Sequence, residues 1–300
     1  MQEDLSVCIT TYNRWPLCLN ALKSVYGQEN VKKEVILVDD CSTDPIPDEV
    51  VNFIRQKNTY YIRHETNRGL AAARNTAIKQ SSGKYFTFCD DDMWPDEFAK
   101  RMIKTIDNAK TDIGIVLGLN KRFKPYFKKY ISDYPSLREL IIHGVTPPVG
   151  AQLYKNSLLK QVGGYNEMVK SGVDHDIWFS LARLNPKVAI CWGNYPIVSL
   201  SSNTDRITLN EKERYKNIND ALLIWKPQIV DIFGENFFHH FYKCYQVNLD
   251  YTFFKHNIKQ YNFLEALTKL NNISLVRKIM KSVAIKMRVI SSIPSFENFE

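Results

Sequence analysis

Three consecutive carboxylates, Asp90-Asp91-Asp92, follow directly on the apolar run Tyr85–Cys89. Aromatic and β-branched residues in a short run are typical of a strand, so the triplet is predicted to lie at a strand end. Adjacent like charges repel one another unless water or a cation stabilises them. Carboxylates combined with phosphate oxygens are common ligands of Mg²⁺ and Mn²⁺ in proteins. Taken alone, the triplet indicates either a divalent-cation site or a solvated acidic turn.

Two further predicted strands end in polar side chains. The strand Leu5–Thr10 leads into hydroxyl, amide and guanidinium groups, and the strand Glu34–Val38 leads into two carboxylates. The candidate ligand-binding residues at these strand ends are Thr10, Tyr12, Asn13, Arg14, Asp39 and Asp40. Such groups form hydrogen bonds with a ribose, a base or a phosphate. The alternative is a local role, because Thr, Asn, Ser and Asp also cap helices and stabilise turns.

Arg74 lies in a helix predicted at residues 70–80, directly after three alanines. Small side chains allow a helix to approach a sheet closely, which would bring Arg74 near the strand ends. A guanidinium group there would either bind a diphosphate or hold a carboxylate. The alternative is an alanine-rich helix with one arginine on its surface.

Strands and helices are predicted to alternate over the first hundred residues, beginning with a strand at 5–10 and a helix at 16–26. This order predicts an α/β fold with a Rossmann-like, mostly parallel central sheet flanked by helices. Ligands of such sheets bind beyond the carboxyl ends of the strands, where the polar residues lie. The basic, aromatic segment 121–129 is predicted to form a loop over that site. Long helical patterns begin at residue 211, so we predict an α/β domain at 1–210 and a C-terminal α-helical extension at 211–300.

The net charge of +8 and the pI of about 9.0 indicate an anionic partner, such as a phosphorylated small molecule, a lipid surface or a nucleic acid. No nucleic-acid-binding motif accompanies the charge, so no nucleic-acid partner is predicted. The six cysteines are scattered without a CxxC pair, which indicates free thiols in a reducing compartment. The sequence shows neither a signal-peptide pattern nor a run of about 18 apolar residues, so we predict a cytoplasmic protein.

In their order and spacing these segments resemble the family 2 glycosyltransferases of bacterial surface-polysaccharide synthesis. Members of this family are inverting enzymes of the GT-A fold that use nucleotide sugars. The resemblance covers residues 4 to about 200 of the chain. The motifs that carry it are Val7–Arg14, Val38–Asp44, Asn67–Asn75, Ser82–Tyr85, Asp90–Asp92 with Pro95, Val162–Glu167 and Asp174–Trp178.

The resemblance implies roles for the candidate residues. The residues that it places around a nucleotide sugar, usually a UDP-sugar, are Thr10, Tyr12, Asn13, Arg14, Asp39, Asp40, Arg74, Asp90 and Asp91. Asp90 and Asp92 would form the DXD pair that binds Mg²⁺ or Mn²⁺, with Asp92 in direct contact with the metal and Asp91 auxiliary. Asp174 falls at the position of the catalytic base.

The base position departs from the family pattern. The family usually carries Glu-Asp there, whereas Val173 precedes Asp174 in this chain, and Ser180 stands where a basic residue often follows. The choice between Asp174 and Asp176 therefore stays open, with Asp174 favoured. His175 is interpreted as a polar contact, because no CxxC or HxxxH spacing suggests zinc nearby.

Together these features predict a hexosyltransferase. It would move a sugar from a UDP-sugar to a hydroxyl of a glycan or lipid-linked acceptor in surface polysaccharide biosynthesis, by a metal-assisted single displacement with an Asp base. The alternative is a non-catalytic sugar-nucleotide-binding or scaffolding subunit of a polysaccharide assembly complex, although a binding module needs no base. A nucleotidyltransferase would normally carry a glycine-rich loop after its first strand, and Thr10–Arg14 contains no glycine.

Residues 273–293 combine apolar positions at helical spacing with Lys and Arg and contain no acidic residue. This pattern predicts a basic amphipathic helix that either contacts an anionic membrane surface or packs on the catalytic domain. The resemblance favours the membrane, which would place the protein peripherally on the inner face of the cytoplasmic membrane. The aromatic segment 237–254 is predicted to form a helical hairpin that packs on itself or on a second subunit of a homo-oligomer.

Overall fold

Seven strands pair into one mixed sheet in the structure, a computed structural model that describes residues 4–90, 92–145, 147–193 and 211–259. The strands are β1 (Leu5–Thr11), β2 (Lys33–Asp39), β3 (Tyr60–Arg63), β4 (Tyr85–Phe88), β5 (Ile113–Asn120), β6 (Gln152–Lys155) and β7 (Lys187–Gly193). Their order across the sheet is β3-β2-β1-β4-β6-β5-β7. β6 runs antiparallel to both of its neighbours, whereas the other strand pairs are parallel. The predicted α/β fold with a mostly parallel sheet is therefore confirmed.

Within the described residues, eight helices and two 3₁₀ turns connect the strands, and two longer helices follow. The connecting helices are α1 (Trp15–Tyr26), α2 (Asp48–Gln56), α3 (Leu70–Gln80), α4 (Phe98–Asp107), α5 (Lys124–Tyr130), α6 (Leu137–Ile142), α7 (Asn156–Gln161) and α8 (Val173–Ala182). The 3₁₀ turns lie at Lys121–Phe123 and Val149–Ala151. The longer helices are α9 (Glu211–Phe233) and α10 (Glu235–Lys259), as the predicted C-terminal helices require. The hairpin predicted for residues 237–254 is wrong, because this segment lies within α10 alone and packs on α9.

Burial of the central strands explains their sequences. β1 and β2 are buried along almost all of their length, and their apolar residues face helices on both sides of the sheet. Ala71, Ala72 and Ala73 are at most 3% exposed and allow α3 to pack closely on β1 and β2. Arg74 follows these alanines on α3, so the close packing also brings its side chain to the sheet.

The carboxyl ends of β1, β2, β4 and β5 lie at one edge of the sheet, which we call the carboxyl edge. β1 is parallel to β2 and β4, and β5 shares their direction because β4 and β5 are both antiparallel to β6. The side chains of Thr10, Asp39 and Asp90 lie at or directly after strand ends on this edge. The predicted convergence of polar residues follows from this topology.

The structure differs from the sequence-based prediction in its second half. The segment 121–129 is not a loop: it forms a 3₁₀ turn and helix α5, because Phe127 is buried and packs against Trp192 of β7. Helix α6 and strand β7 have no counterpart in the prediction. The prediction also did not include the antiparallel direction of β6, because the residue pattern of a strand does not show which way the strand runs.

The contacts divide the described residues into two units. The first unit comprises the described residues of 4–137, 147–168 and 173–193. The second comprises 138–145, 169–172 and 211–259, and α9 packs on α10 within it. The boundary predicted at residue 210 and the basic helix predicted at 273–293 lie outside the described residues. Among the helices that the structure describes, none is long and apolar enough to cross a membrane.

Candidate active site

A buried arginine joins two carboxylates at the carboxyl edge. Arg74 Nη2 donates to Asp90 Oδ2 over 2.6 Å, and Arg74 Nη1 donates to Asp174 Oδ1 over 2.7 Å. The side chain of Arg74 is 2% exposed, that of Asp90 is 14% exposed and that of Asp174 is 39% exposed. The ion-pair network therefore begins in the protein interior and ends at a carboxylate that solvent reaches.

Aromatic rings enclose the guanidinium group of Arg74. Its Cζ atom lies 5.0 Å from the centre of the Phe88 ring and 5.4 Å from that of the Tyr165 ring, within the range of a cation–π interaction. Burial by itself would lower the pKa of Arg74, but Asp90, Tyr165 and Asp174 outweigh it, so the pKa is raised well above its ordinary value. Arg74 therefore keeps its positive charge inside the site.

Asp90 adopts an unusual backbone conformation directly after β4. Its φ of 44° lies in the left-handed region, which residues other than glycine seldom adopt. Thr10 Oγ1 donates to Asp90 Oδ1 over 2.8 Å, so Thr10 and Arg74 together engage both carboxylate oxygens. A conformation of this kind costs roughly 1–3 kcal/mol and persists where surrounding contacts impose it. These contacts fix the turn by which the chain leaves β4.

The carboxylate of Asp92 packs against Gly150. A Cβ atom placed on Gly150 would come within 2.8 Å of Asp92 Oδ2, so the glycine leaves room for this carboxylate. The described residues, which do not include Asp91, contain no group of three or more His, Cys, Asp or Glu side chains that could hold a metal ion. Phosphate oxygens and water would have to complete the coordination of a cation here, and the metal role of Asp90 and Asp92 stays a prediction.

Asp40 fixes the start of α3 from the end of β2. Its Oδ1 accepts the backbone N–H of Arg68 over 2.9 Å and lies 2.7 Å from His64 Nδ1, and its Oδ2 accepts the N–H of Gly69 over 2.7 Å. A carboxylate at the N-terminus of a helix also interacts favourably with the helix dipole. Asp40 thereby sets the position of α3 and, with it, that of Arg74.

Asp39 is fully buried and binds the neighbouring strand and loop. Its Oδ2 accepts hydrogen bonds from Arg63 Nη1 over 2.6 Å and from the Tyr61 hydroxyl over 3.1 Å, and its Oδ1 accepts the N–H of Ser42 over 2.8 Å. A nucleotide that binds Asp39 would therefore first have to displace Arg63 or Tyr61.

Asn13 links the loops that follow β1 and β2. Its Oδ1 accepts the backbone N–H of Thr43 over 2.7 Å and that of Asp44 over 3.1 Å, and its own φ is 54°. The adjacent Tyr12 is 43% exposed, which leaves its ring accessible to a ligand, whereas Arg14 is partly buried.

The first turn of α8 distinguishes the two candidate bases. Asp176 is buried, and its Oδ2 accepts the N–H of Asn166 over 2.6 Å, which ties the preceding loop to the helix. Asp174 instead reaches Arg74 and stays partly exposed, so of the two carboxylates Asp174 is the one that a ligand could contact. Burial lowers the pKa of His175 to about 4, with the charge of Asp174 acting in the opposite direction. His175 is therefore neutral near pH 7.

Asn75 is a site residue that the sequence analysis does not single out. Its side-chain amide donates to the Tyr165 carbonyl over 2.9 Å and accepts the Tyr165 N–H over 2.8 Å. It also donates to Glu167 Oε1 over 3.1 Å, and a Cβ on Gly164 would collide with it. The amide thus fixes the loop that places the Tyr165 ring over Arg74. Asn75 stands in the matching motif beside Arg74, but a single sequence does not show what an amide binds.

Direct contacts connect four of the predicted site residues into one network, namely Thr10, Asp90, Arg74 and Asp174. Asp39, Asp40 and Asn13 form internal hydrogen bonds that shape the loops at the same edge. The model of glycosyl transferase family 2 matches residues 6–170, more than half of the chain. The chain therefore belongs to this family, as its motifs predict.

Two curated relatives show the extent of the sequence similarity. An uncharacterised glycosyltransferase of Rickettsia conorii is 32% identical over 189 residues, which cover 60% of this chain. The poly(ribitol-phosphate) β-N-acetylglucosaminyltransferase TarS of Staphylococcus aureus is 33% identical over 178 residues, which cover 56% of this chain. The matched region spans 30% of the length of each relative.

Solved structures confirm the GT-A fold. S. aureus TarS 1–349 in complex with UDP-GlcNAc matches 96% of this chain and 84% of its own, with a TM-score of 0.56 and 22% identity. The mannosyltransferase PcManGT of Pyrobaculum calidifontis, in complex with GDP-Man and Mn²⁺, matches 96% of this chain and 81% of its own, with a TM-score of 0.55 and 18% identity. At these identities the likeness concerns the fold.

Replacement of Arg74 by methionine should destabilise the protein by about 3 kcal/mol, because Asp90 would keep a largely buried charge without its partner. The free energy of unfolding, measured by urea denaturation, tests this expectation. Arg68→Met is the matched control, since Arg68 forms an exposed ion pair with Glu167 over 3.0 Å that contributes at most about 1 kcal/mol. Equal losses of unfolding free energy in the two variants would contradict the importance of the buried ion pair.

The stability of the protein should fall as the pH is lowered from about 6.5 to about 4, in part through His175. The folded chain holds this side chain at a pKa of about 4, below the ordinary 6.5, so the unfolded chain binds the extra proton in this window. The contribution amounts to about 3 kcal/mol over the whole window. His175→Asn should flatten the pH profile of the unfolding free energy, whereas the exposed control His239→Gln should leave it unchanged.

Proposed function

We propose that this chain is an inverting glycosyltransferase that moves a sugar from a UDP-sugar to a hydroxyl of a glycan or lipid-linked acceptor in polysaccharide biosynthesis. Membership of glycosyl transferase family 2 supports the reaction class. The names of TarS and of its complex support UDP-GlcNAc as the first donor to test and a polymer as the acceptor. Because the matched region spans 30% of TarS, substrate and acceptor are proposals for this chain.

The observation that carries the proposal is the oriented, partly exposed carboxylate of Asp174. Arg74 engages its Oδ1, and none of the hydrogen bonds found among the described residues involves its Oδ2. A fixed carboxylate at the carboxyl edge suits a general base, which must accept a proton from a hydroxyl in a defined direction. Arg74 is itself buried between two aromatic rings, so it keeps its position and holds the Asp174 carboxylate in a fixed orientation.

A single displacement needs few protein groups. The acceptor oxygen attacks the anomeric carbon, its proton passes to Asp174, and the bond from that carbon to the diphosphate oxygen breaks with inversion. When bound beside Asp90 and Asp92, Mg²⁺ or Mn²⁺ would supply Lewis-acid stabilisation of the leaving diphosphate. Tyr12 and the loops fixed by Asn13 and Asp40 would hold the nucleoside part of the donor.

Two further features stay predictions. Peripheral contact with the inner face of the cytoplasmic membrane is predicted through residues 273–293, which lie outside the described residues. A homo-oligomer is predicted through the C-terminal helical region.

Asp174→Asn should lower the rate of sugar transfer by about 10²–10⁴-fold, because the amide accepts no proton from the acceptor hydroxyl. UDP binding, measured by calorimetry, should stay within about twofold of wild type. The rate is first measured as UDP-sugar hydrolysis over a panel of UDP- and GDP-sugars, with and without Mn²⁺. Asp133→Asn, which changes an exposed aspartate, is the matched control.

The same measurement separates the transferase from a non-catalytic sugar-nucleotide-binding subunit. A binding subunit would bind a UDP-sugar without turning it over, in the wild type as in the variant. Turnover that persists at the wild-type rate in Asp174→Asn would refute the assignment of the base but not that of the donor.

Asp92→Ala should remove the metal dependence of UDP binding. In the wild type Mn²⁺ should strengthen UDP binding, because Asp90 and Asp92 would hold the cation and the cation would offset the charge of the diphosphate. In the variant the dissociation constants with Mn²⁺ and with a chelator should agree within about twofold, whereas the control Asp133→Ala should behave like the wild type. An unchanged effect of Mn²⁺ in Asp92→Ala would refute the metal role of this residue.

A further inference from the structure

A cationic surface follows β5 at the carboxyl edge. It consists of the 3₁₀ turn and helix α5, residues 121–130, and we call it the basic platform. Its exposed cationic side chains are Lys121, Arg122, Lys124, Lys128 and Lys129. None of them takes part in the salt bridges found among the described residues. No acidic residue occurs between Asp112 and Asp133 either, so the segment itself does not neutralise its positive charge.

Buried contacts hold the basic platform on the sheet. Phe127 is 5% exposed, and its ring lies 5.3 Å from that of Trp192 on β7 at an angle of 87°. At the start of the platform, Asn120 Oδ1 accepts the N–H of Arg122 over 3.0 Å. The cations thus stand on an ordered backbone rather than on a loose tail, which lowers the entropic cost of binding an extended ligand.

Aromatic rings alternate with these cations. The Cζ atom of Arg122 lies 4.6 Å from the centre of the Phe123 ring, and Lys129 Nζ lies 4.8 Å from that of the Tyr130 ring. The rings of Tyr126 and Tyr130 are 4.9 Å apart. Aromatic rings pack on the apolar faces of sugars, while lysine and arginine bind phosphate or carboxylate groups. A ligand that carries both kinds of group suits this surface.

The basic platform lies close to the candidate active site. In the sheet, β6 alone separates β5 from β4, which puts the two strands about 10 Å apart sideways. Leu153 of β6 pairs with both Thr87 and Val116, so β5 extends three residues further than β4 and the two carboxyl ends lie about 14 Å apart. Asp90 follows β4 and is joined through Arg74 to Asp174. A chain-like ligand longer than about 14 Å therefore spans the distance from the end of β5, where the platform begins, to the end of β4.

We infer that the basic platform binds the acceptor, and that the acceptor is an anionic glycan with phosphate or carboxylate groups. The inference rests on the proposed function, because it names the acceptor class of the same site. An anionic membrane is the rival partner. It fits less well, because residues 121–130 contain no Leu or Trp and Phe127 is buried, whereas helices at a membrane interface insert Trp, Phe and Leu side chains.

The test compares two variants that lose the same amount of charge. The platform variant carries Arg122→Gln, Lys124→Gln, Lys128→Gln and Lys129→Gln. The control variant carries Lys57→Gln, Lys79→Gln, Lys104→Gln and Lys110→Gln, which change exposed lysines at or beyond the C-terminal ends of α2, α3 and α4, opposite the carboxyl edge. The probes are phosphorylated dextran, unmodified dextran of the same length and phosphatidylglycerol vesicles, with UDP binding as a check of the intact donor site.

Phosphorylated dextran should bind the platform variant at least about tenfold more weakly than the wild type, because four exposed charge contacts are lost. The control variant should bind phosphorylated dextran within about twofold of the wild-type affinity, and both variants should bind UDP as the wild type does. Equal losses of phosphodextran affinity in both variants would overturn the inference. A platform variant that loses only its affinity for the vesicles would overturn it as well. If the wild type hydrolyses no UDP-sugar but the platform variant still loses phosphodextran binding, the proposed function fails while the anion-binding surface stands.

Discussion

The charge of one buried arginine is the constraint on which this site depends. Removing a guanidinium group from water costs several kcal/mol, and Arg74 meets that cost with two carboxylates and two aromatic faces. The partners come from three separate parts of the chain: β4 with the turn that follows it, the first turn of α8 and the loop that carries Tyr165. The site therefore forms only when these parts are folded against α3.

Many polar side chains at the carboxyl edge hold loops and helix ends in place and do not face a ligand. Asp40 fixes the N-terminus of α3, Asn13 joins two loops, and Asn75 holds the loop that contains Tyr165. Each of these side chains satisfies backbone groups that would otherwise be costly to bury. The exposed groups left for ligands are fewer, with Tyr12 and Asp174 among them.

Opposite charges are segregated along the same edge of the sheet. Asp90, Asp92 and Asp174 make the centre anionic, which is unfavourable for a diphosphate unless a cation intervenes. The cations of the basic platform follow β5 at the same edge, and the ends of β4 and β5 lie about 14 Å apart. This arrangement underlies the two proposed roles: a metal ion would bind the donor diphosphate, and the basic platform would bind an anionic acceptor.

The sequence alone determined the fold class, the strand ends at which polar residues gather and the family, because these depend on local patterns of period and spacing. Helix α5, strand β7 and the direction of β6 depended on long-range packing, such as that of Phe127 on Trp192. The sequence left open whether Arg74 binds a diphosphate or a carboxylate, and whether Asp174 or Asp176 is the better base. The tertiary structure places Arg74 between Asp90 and Asp174, because charge pairing across distant segments is a property of the folded chain.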